Sequence, residues 1–210
     1  MATKEKTKKD ILWRAPKGRL IFPHLAKPQR DEKDENDVYS LQLNVAKEGG
    51  VGGTFPKALA EMQSVLTEAL VQKFGDDWSD EVKLPFIDGD TAPKYKNKDF
   101  NHGCICIPMR SYNYAPGMAF VNKDGAIEDF EIDQLGTELY MGCFVVCSYN
   151  FYTYSTARAS GISVGLRTVI KVADGEPLKT HASTKGDWAG IDMSGYAKTM
   201  AGPTEDSDGV

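Results

Sequence analysis

Leu139-Tyr-Met-Gly-Cys-Phe-Val-Val-Cys-Ser-Tyr-Asn-Phe-Tyr-Thr-Tyr154 is followed, after a short turn, by Gly161-Ile-Ser-Val-Gly-Leu-Arg-Thr-Val-Ile-Lys171. β-Branched and aromatic residues fill both runs, and neither contains an Asp or a Glu. At alternate positions Met141, Cys143, Val145, Cys147, Tyr149 and Phe151 form one almost purely apolar set, the side a core would take. The other parity gives Ser148, Asn150, Tyr152 and Tyr154, polar and aromatic together. In the second run Ile162, Val164, Leu166 and Ile170 are expected to face inward, leaving Ser163, Gly165, Arg167 and Lys171 outward. Two alternating runs joined by a turn predict an antiparallel pair. The first is too long for a flat strand, and Gly142 marks the expected bend or bulge.

The same alternation recurs upstream. Residues 38–45 place Tyr39, Leu41, Leu43 and Val45 on one face and Ser40, Gln42 and Asn44 on the other. Residues 17–22, 103–110 and 118–121 read as further strands, the last turning at Asn122-Lys-Asp-Gly125. One helix is expected: Thr54 as N-cap, Pro56 in the first turn, then Leu59, Met62, Leu66, Ala69 and Leu70 at helical spacing, and Gly75 as the stop. Residues 48–53, Gly-rich, connect it to the strand before. β patterning fades from about residue 175. The chain is therefore mainly β, with a basic arm at 1–16, a folded domain at 17–178 and a flexible acidic tail at 179–210.

The chain of 210 residues is 41% hydrophobic and 26% charged, enough apolar material for a packed core. Its formal charge of -5 excludes a uniformly basic nucleic-acid binder, but the charge is unevenly placed. Residues 1–30 carry nine basic side chains against two acids, whereas 139–173 hold no acid at all alongside Arg158, Arg167 and Lys171. No apolar run approaches the ~20 residues of a membrane span. Nor does an apolar segment follow the Lys-rich start, so a soluble intracellular protein with reduced cysteines is expected.

Enzyme signatures are sparse. The histidines, His24, His102 and His181, fall in no recognised catalytic motif, and Gly49 to Gly53 lacks the Lys-Ser/Thr pair of a phosphate loop. Asp88-Gly-Asp90 could place two carboxylates on Mg²⁺ for a metal-dependent nuclease, but the sequence supplies no third acid and Asp-Gly is a good turn. Cys104, Cys106, Cys143 and Cys147 could offer thiolates to zinc, yet their strand spacing suits small buried hydrophobes as well. No cofactor and no metal is expected.

Basic and aromatic residues, by contrast, interleave. Binding an unpaired strand without sequence preference needs cations along the phosphates and flat rings for the bases. Tyr112, Tyr114, Tyr152 and Tyr154 are the candidate stacking rings. Lys94, Lys96, Lys98, Arg110, Arg158, Arg167 and Lys171 are the candidate phosphate track. The alternative is that the aromatic face serves protein contacts in a structural or interaction protein.

Several segments together resemble a known family: Gly18-Arg-Leu-Ile-Phe-Pro-His-Leu25, Val38-Tyr-Ser-Leu-Gln-Leu43, Leu84-Pro-Phe-Ile-Asp-Gly-Asp90, Tyr140-Met-Gly-Cys-Phe-Val-Val146, Asn150-Phe-Tyr-Thr-Tyr154, Gly161-Ile-Ser-Val-Gly-Leu166 and Gly175-Glu-Pro-Leu178. In this order and spacing the chain resembles the single-stranded-DNA-binding proteins of tailed bacteriophages, distantly similar to the replication single-strand binders of short-tailed coliphages. The resemblance implies an OB-fold barrel of five to six strands with one packed helix. It implies sequence-independent binding of single-stranded DNA in phage replication, recombination and repair, in the cytoplasm of the infected bacterial host, with no membrane partner. It further implies that the acidic tail, here Glu205-Asp-Ser-Asp208, competes with DNA and recruits phage or host replication proteins. The tail departs from the coliphage pattern in having few acids and in ending on Val210 rather than an aromatic. Monomer and homodimer both stay open.

Overall fold

The computed structural model describes residues 13–30, 36–47, 55–76, 82–131, 133–156 and 159–178. Most of the basic arm, the Gly-rich connector with Thr54, Arg158 and the acidic tail lie outside these residues. In chain order the elements are β1 (Trp13–Arg14), β2 (Gly18–Arg30), β3 (Asp37–Ala46), α1 (Phe55–Phe74), β4 (Ile87–Asp88), β5 (Cys104–Tyr112), β6 (Gly117–Val121), β7 (Ile127–Asp129), α2 (Leu135–Glu138), β8 (Phe144–Ser155) and β9 (Ser160–Ala173). The chain is thus mainly β with one long helix, as its alternation predicts.

Five strands close on themselves. β8 pairs with β2 through Gly18 opposite Val145, and β2 pairs with β3 through Leu20 opposite Leu43. β3 pairs with β5 through Leu43 opposite Ile107, and β5 runs parallel to β9 with Met109 beside Val164. The expected antiparallel hairpin of β8 and β9 completes the ring, with Phe151 opposite Val164. A ring of five strands in this order fits the OB type, whose binding face lies on its second and third strands, here β3 and β5. β1 adds to β8, β6 runs parallel to β9, and β7 extends β6.

The inward parity fills the ring. Leu20, Leu43, Val45, Ile107, Met109, Val145, Cys147, Tyr149 and Val164 are all essentially inaccessible and belong to one cluster. Tyr149 is thus a core ring, as the alternation of 139–154 requires. α1 buries Leu59, Met62, Leu66 and Leu70, the helical spacing read from sequence, and packs Leu66 and Leu70 on Ile162. It ends at Gly75, whose φ is +83° and whose amide donates to the Val71 carbonyl. No described helix is long and apolar enough to cross a membrane.

One expectation fails, and for a geometric reason. In β9, Leu166 lies opposite Tyr149 but Thr168 lies opposite Ser148, so Arg167 is an extra, bulged residue. The extra residue reverses the parity of everything after it. Val169, not Ile170, enters the core, and Lys171 turns inward beside Val145 instead of outward. Lys171 Nζ lies 2.6 Å from Glu138 Oε2, 2.8 Å from Asp174 Oδ1 and 5.3 Å from the Tyr140 ring centroid. A buried ammonium already shared by two carboxylates is not part of an open phosphate track.

Gly142 is the bend foreseen in the long run: φ is +117°, and β8 begins only at Phe144. A Cβ there would collide with the Glu176 carbonyl, where the chain leaving β9 crosses back. Gly142→Ala is expected to destabilise the domain by at least about 1–3 kcal/mol, the cost of the backbone conformation alone. Urea denaturation monitored by far-UV circular dichroism measures it, and an unchanged midpoint would contradict the assignment.

Candidate nucleic-acid interface

Outside the ring, β3 and β5 present Ser40, Gln42 and Asn44 beside Arg110, Pro108 and Cys106. Part of this face is covered and part is open. Gln42, Asn44 and Asn101 are polar yet buried, at 8%, 3% and 2% exposure, because they pair with one another. Gln42 Nε2 donates to Asn44 Oδ1 (2.6 Å) and to Asn101 Oδ1 (2.8 Å). Asn44 Nδ2 donates to the Phe100 carbonyl (2.7 Å), and Asn101 Nδ2 to the Tyr95 carbonyl (3.0 Å). These bonds clamp residues 92–101, with their 3-10 turn at Asp99–Asn101, over the sheet. Lys94, Lys96 and Lys98 are held there, all exposed.

Beyond the clamp the face opens. His24, Ser40, Arg110, Gly165 and Asn150 occupy one level across all five strands of the ring. At about 4.8 Å per strand spacing, that row is about 19 Å long. Arg110 lies near enough to Tyr95 on one side and Tyr152 on the other to lower each phenol's pKa, although burial drives both upward overall. The Tyr112 hydroxyl lies beside that of Tyr152, which also bonds Ser163. Tyr154 crosses Gly161 so closely that a Cβ there would sit 2.6 Å from its hydroxyl. Arg167 is exposed two residues beyond Gly165.

The structure therefore brings Arg110, Tyr112 and Tyr152 together, with Tyr154 farther along β8 and Lys94, Lys96 and Lys98 on the clamped segment. Tyr114 is 78% exposed in the turn between β5 and β6, where Asn113 adopts φ +63°. Lys171 lies apart, for the reason given above, and Arg158 is outside the described residues. Sequence reasoning missed Tyr95, which it saw only as spacing between lysines. It also missed Phe22 and Phe100, whose ring centroids are 5.6 Å apart with Lys98 Nζ 6.0 Å from each. The Phe22-Pro23 step, a break in a strand, was the available signal.

Asp88 and Asp90 have a different task. Lys47 Nζ lies 2.7 Å from Asp88 Oδ1 and 2.6 Å from Asp90 Oδ2. Asp88 Oδ1 also accepts the Asp90 amide, and Asp90 Oδ1 accepts that of Gly103. This is the turn reading, with the carboxylates neutralised by an ammonium. The cysteines do not converge: Cys104 and Cys106 share the outer parity of β5, whereas Cys143 and Cys147 lie in the core. Burial pushes the Cys106 and Cys147 thiols up to about 12 and Cys143 to about 11, so they stay protonated. Among the described residues no group of three or more metal-ligating side chains forms.

Comparison with known proteins places this geometry. A family model described as Enterobacter phage Enc34, ssDNA-binding protein, matches residues 14–197. The single-stranded-DNA-binding protein from bacteriophage Enc34, solved in complex with ssDNA, superposes with a TM-score of 0.63 at 22% identity, covering 83% of this chain and 96% of that one. Its C-terminal truncation gives a TM-score of 0.65 at 20% identity, covering 85% and 99%. The gp2.5 single-stranded-DNA-binding protein of bacteriophage T7 gives 0.51 at 17% identity, covering 89% and 97%. No curated protein matches the sequence.

Two outcomes follow for the clamp. Hydrogen bonds from Lys47 hold the Asp88 and Asp90 carboxyls below their usual range. Depressed folded-state values contribute stability that is present above the ordinary carboxylate pKa and is lost as pH falls through the lowered values. Lys47→Met is expected to flatten that acid limb of the urea midpoint against pH. Asn101→Ala orphans buried Gln42 and Asn44 groups and is expected to cost about 1–3 kcal/mol for each group left unpaired. Equilibrium denaturation tests this, and a loss near zero would show that the amides are dispensable.

Proposed function

This chain belongs to the single-stranded-DNA-binding protein family of Enterobacter phage Enc34, and we propose that it holds single strands of any sequence on the open face of its ring. Bases stack on Tyr112 and Tyr152, with Tyr154 and Tyr114 extending the platform. Phosphates are met by Arg110, Arg167, Lys94, Lys96 and Lys98, and by Arg158 in the hairpin turn. The observation that carries this reading is the convergence of Arg110, Tyr112 and Tyr152 on one exposed patch beside the clamped lysine segment.

The physics is that of a sequence-tolerant binder. Every base has a π-face, so a ring platform accepts all four, and stacking contributes about 1–3 kcal/mol per base. A duplex keeps its bases stacked inside and offers only phosphates, so unpaired DNA is preferred and hairpins are opened. The protein acts by binding rather than catalysis, in replication, recombination and repair of phage DNA within the host cytoplasm. Residues 17–178 form the binding domain. The acidic tail at 179–210 competes for the same cations when DNA is scarce and meets replication partners when it is bound.

Fluorescence anisotropy with labelled oligo-dT, a matched duplex and single-stranded RNA across a salt series tests the assignment. Oligo-dT is expected to bind most tightly, with log affinity falling by about 0.7 per contacted phosphate for each decade of salt. Tyr112→Ala and Tyr152→Ala are each expected to weaken oligo-dT by about 1–3 kcal/mol. Binding to none of the three probes at low salt would overturn the function. Unchanged affinity in both variants would remove these rings from the site.

A further inference from the structure

Phe22 sits in the protein in a way that packing does not explain. The register of β2 against β3 skips between Ile21 opposite Gln42 and His24 opposite Ser40, so Phe22 and Pro23 together oppose Leu41. This is a bulge, and Phe22 takes φ +47° within it. A bulky residue rarely adopts the left-handed region, and one that precedes proline is pushed still harder toward extended conformations. Such strain persists where surrounding structure imposes it, and it gathers at ligand sites. The other described non-glycine residue with positive φ is Asn113, a type that tolerates it. Phe22 nonetheless remains 36% exposed, whereas Leu20 and Leu25 on either side are buried. The strained backbone holds an aromatic ring out of the core.

Its neighbours have the composition of a nucleotide site. Phe100 packs edge-on against Phe22, at 5.6 Å and 77°, which fixes the ring's orientation. Lys98 Nζ stands 6.0 Å from both ring centroids, on the segment that the amide clamp fastens to the sheet. His24, two residues on, lies at the level of Ser40 and Arg110. From Arg110 to β2 is two strand spacings, about 10 Å, with only Ser40 between. Exposed Asp99 is the one acid on that turn.

We propose that Phe22, with Phe100 and Lys98, forms a second nucleotide subsite, and that a bound single strand runs from Tyr152 past Arg110, Ser40 and His24 to stack a base on Phe22. The inference rests on the single-strand binding proposed above. Phe22 presents the ring, Phe100 fixes it and Lys98 meets the adjoining phosphate. The strand thus crosses the ring perpendicular to its β-strands.

Phe22→Gly tests this in the full chain, because glycine adopts the left-handed backbone freely and removes only the ring. The expected result is a loss of about 5- to 100-fold in affinity for oligo-dT long enough to span the face, with no fall in Tm. A short oligo-dT that fills only the Tyr112–Tyr152 end is expected to lose little, and Phe22→Trp is expected to restore binding of the long one. As a second readout, ultraviolet cross-linking of oligo-dT to the unmodified protein should label the tryptic peptide 20–27. If the wild type binds no oligo-dT, single-strand binding itself fails. If it binds, and Tyr152→Ala weakens it while Phe22→Gly does not and peptide 20–27 stays unlabelled, the second subsite alone is overturned. Should Phe22→Gly lower Tm, labelling of peptide 20–27 decides: its presence supports the subsite and its absence rejects it.

Discussion

Three buried amides, Gln42, Asn44 and Asn101, fasten the segment that carries the lysines to the sheet that carries the rings. Amides taken out of water must find partners, and here each finds another within a cluster that closes in only one arrangement. An apolar seal at the same place would tolerate sliding of residues 92–101 along β3. The amides do not, because a shift of one residue would orphan several groups at once. The position of Lys98 beside Phe22, and of Tyr95 beside Arg110, follows from that constraint.

Charge is organised to the same end. The molecule is acidic overall, yet 139–173 contain no acid, and two acids that could have faced the open surface are neutralised by Lys47. Lys171 is spent in the opposite sense: its ammonium ties α2 and the end of β9 through Glu138 and Asp174. The cations left exposed near the rings are those without a carboxylate engaged to them in these pairs. An acidic protein can therefore present one basic face.

Much of the fold was legible because each element has a local cause. Alternation gave β3, β8 and β9, helical spacing gave α1, and Gly75 and Gly142 marked where a chain must take positive φ. Tyr149 and Tyr152, three residues apart, were separated into core and surface by parity alone. What was not legible was any place where an extra residue reverses parity. The bulge at Arg167 turns Lys171 inward, and the bulge at Phe22 turns a phenylalanine outward; neither leaves a signature beyond a Pro or a Gly nearby. The burial of Gln42 and Asn44 was also hidden, since only the fold brings residues 92–101 to them. Polar alternation predicts exposure, and the clamp overrides it.

The ring is closed unevenly. β8 meets β9 along its full length but meets β2 at just two residue pairs, Gly18 with Val145 and Arg19 with Phe144. That short seam is the natural place for the ring to spring open. The row from His24 to Asn150 runs the other way around the circle, from β2 through β3, β5 and β9 to β8. Cargo lying along the row prefers the closed form, and by mass action whatever prefers the closed form raises the cost of opening. A strand of nucleic acid would thus act as a girdle, tightening a joint that it never touches.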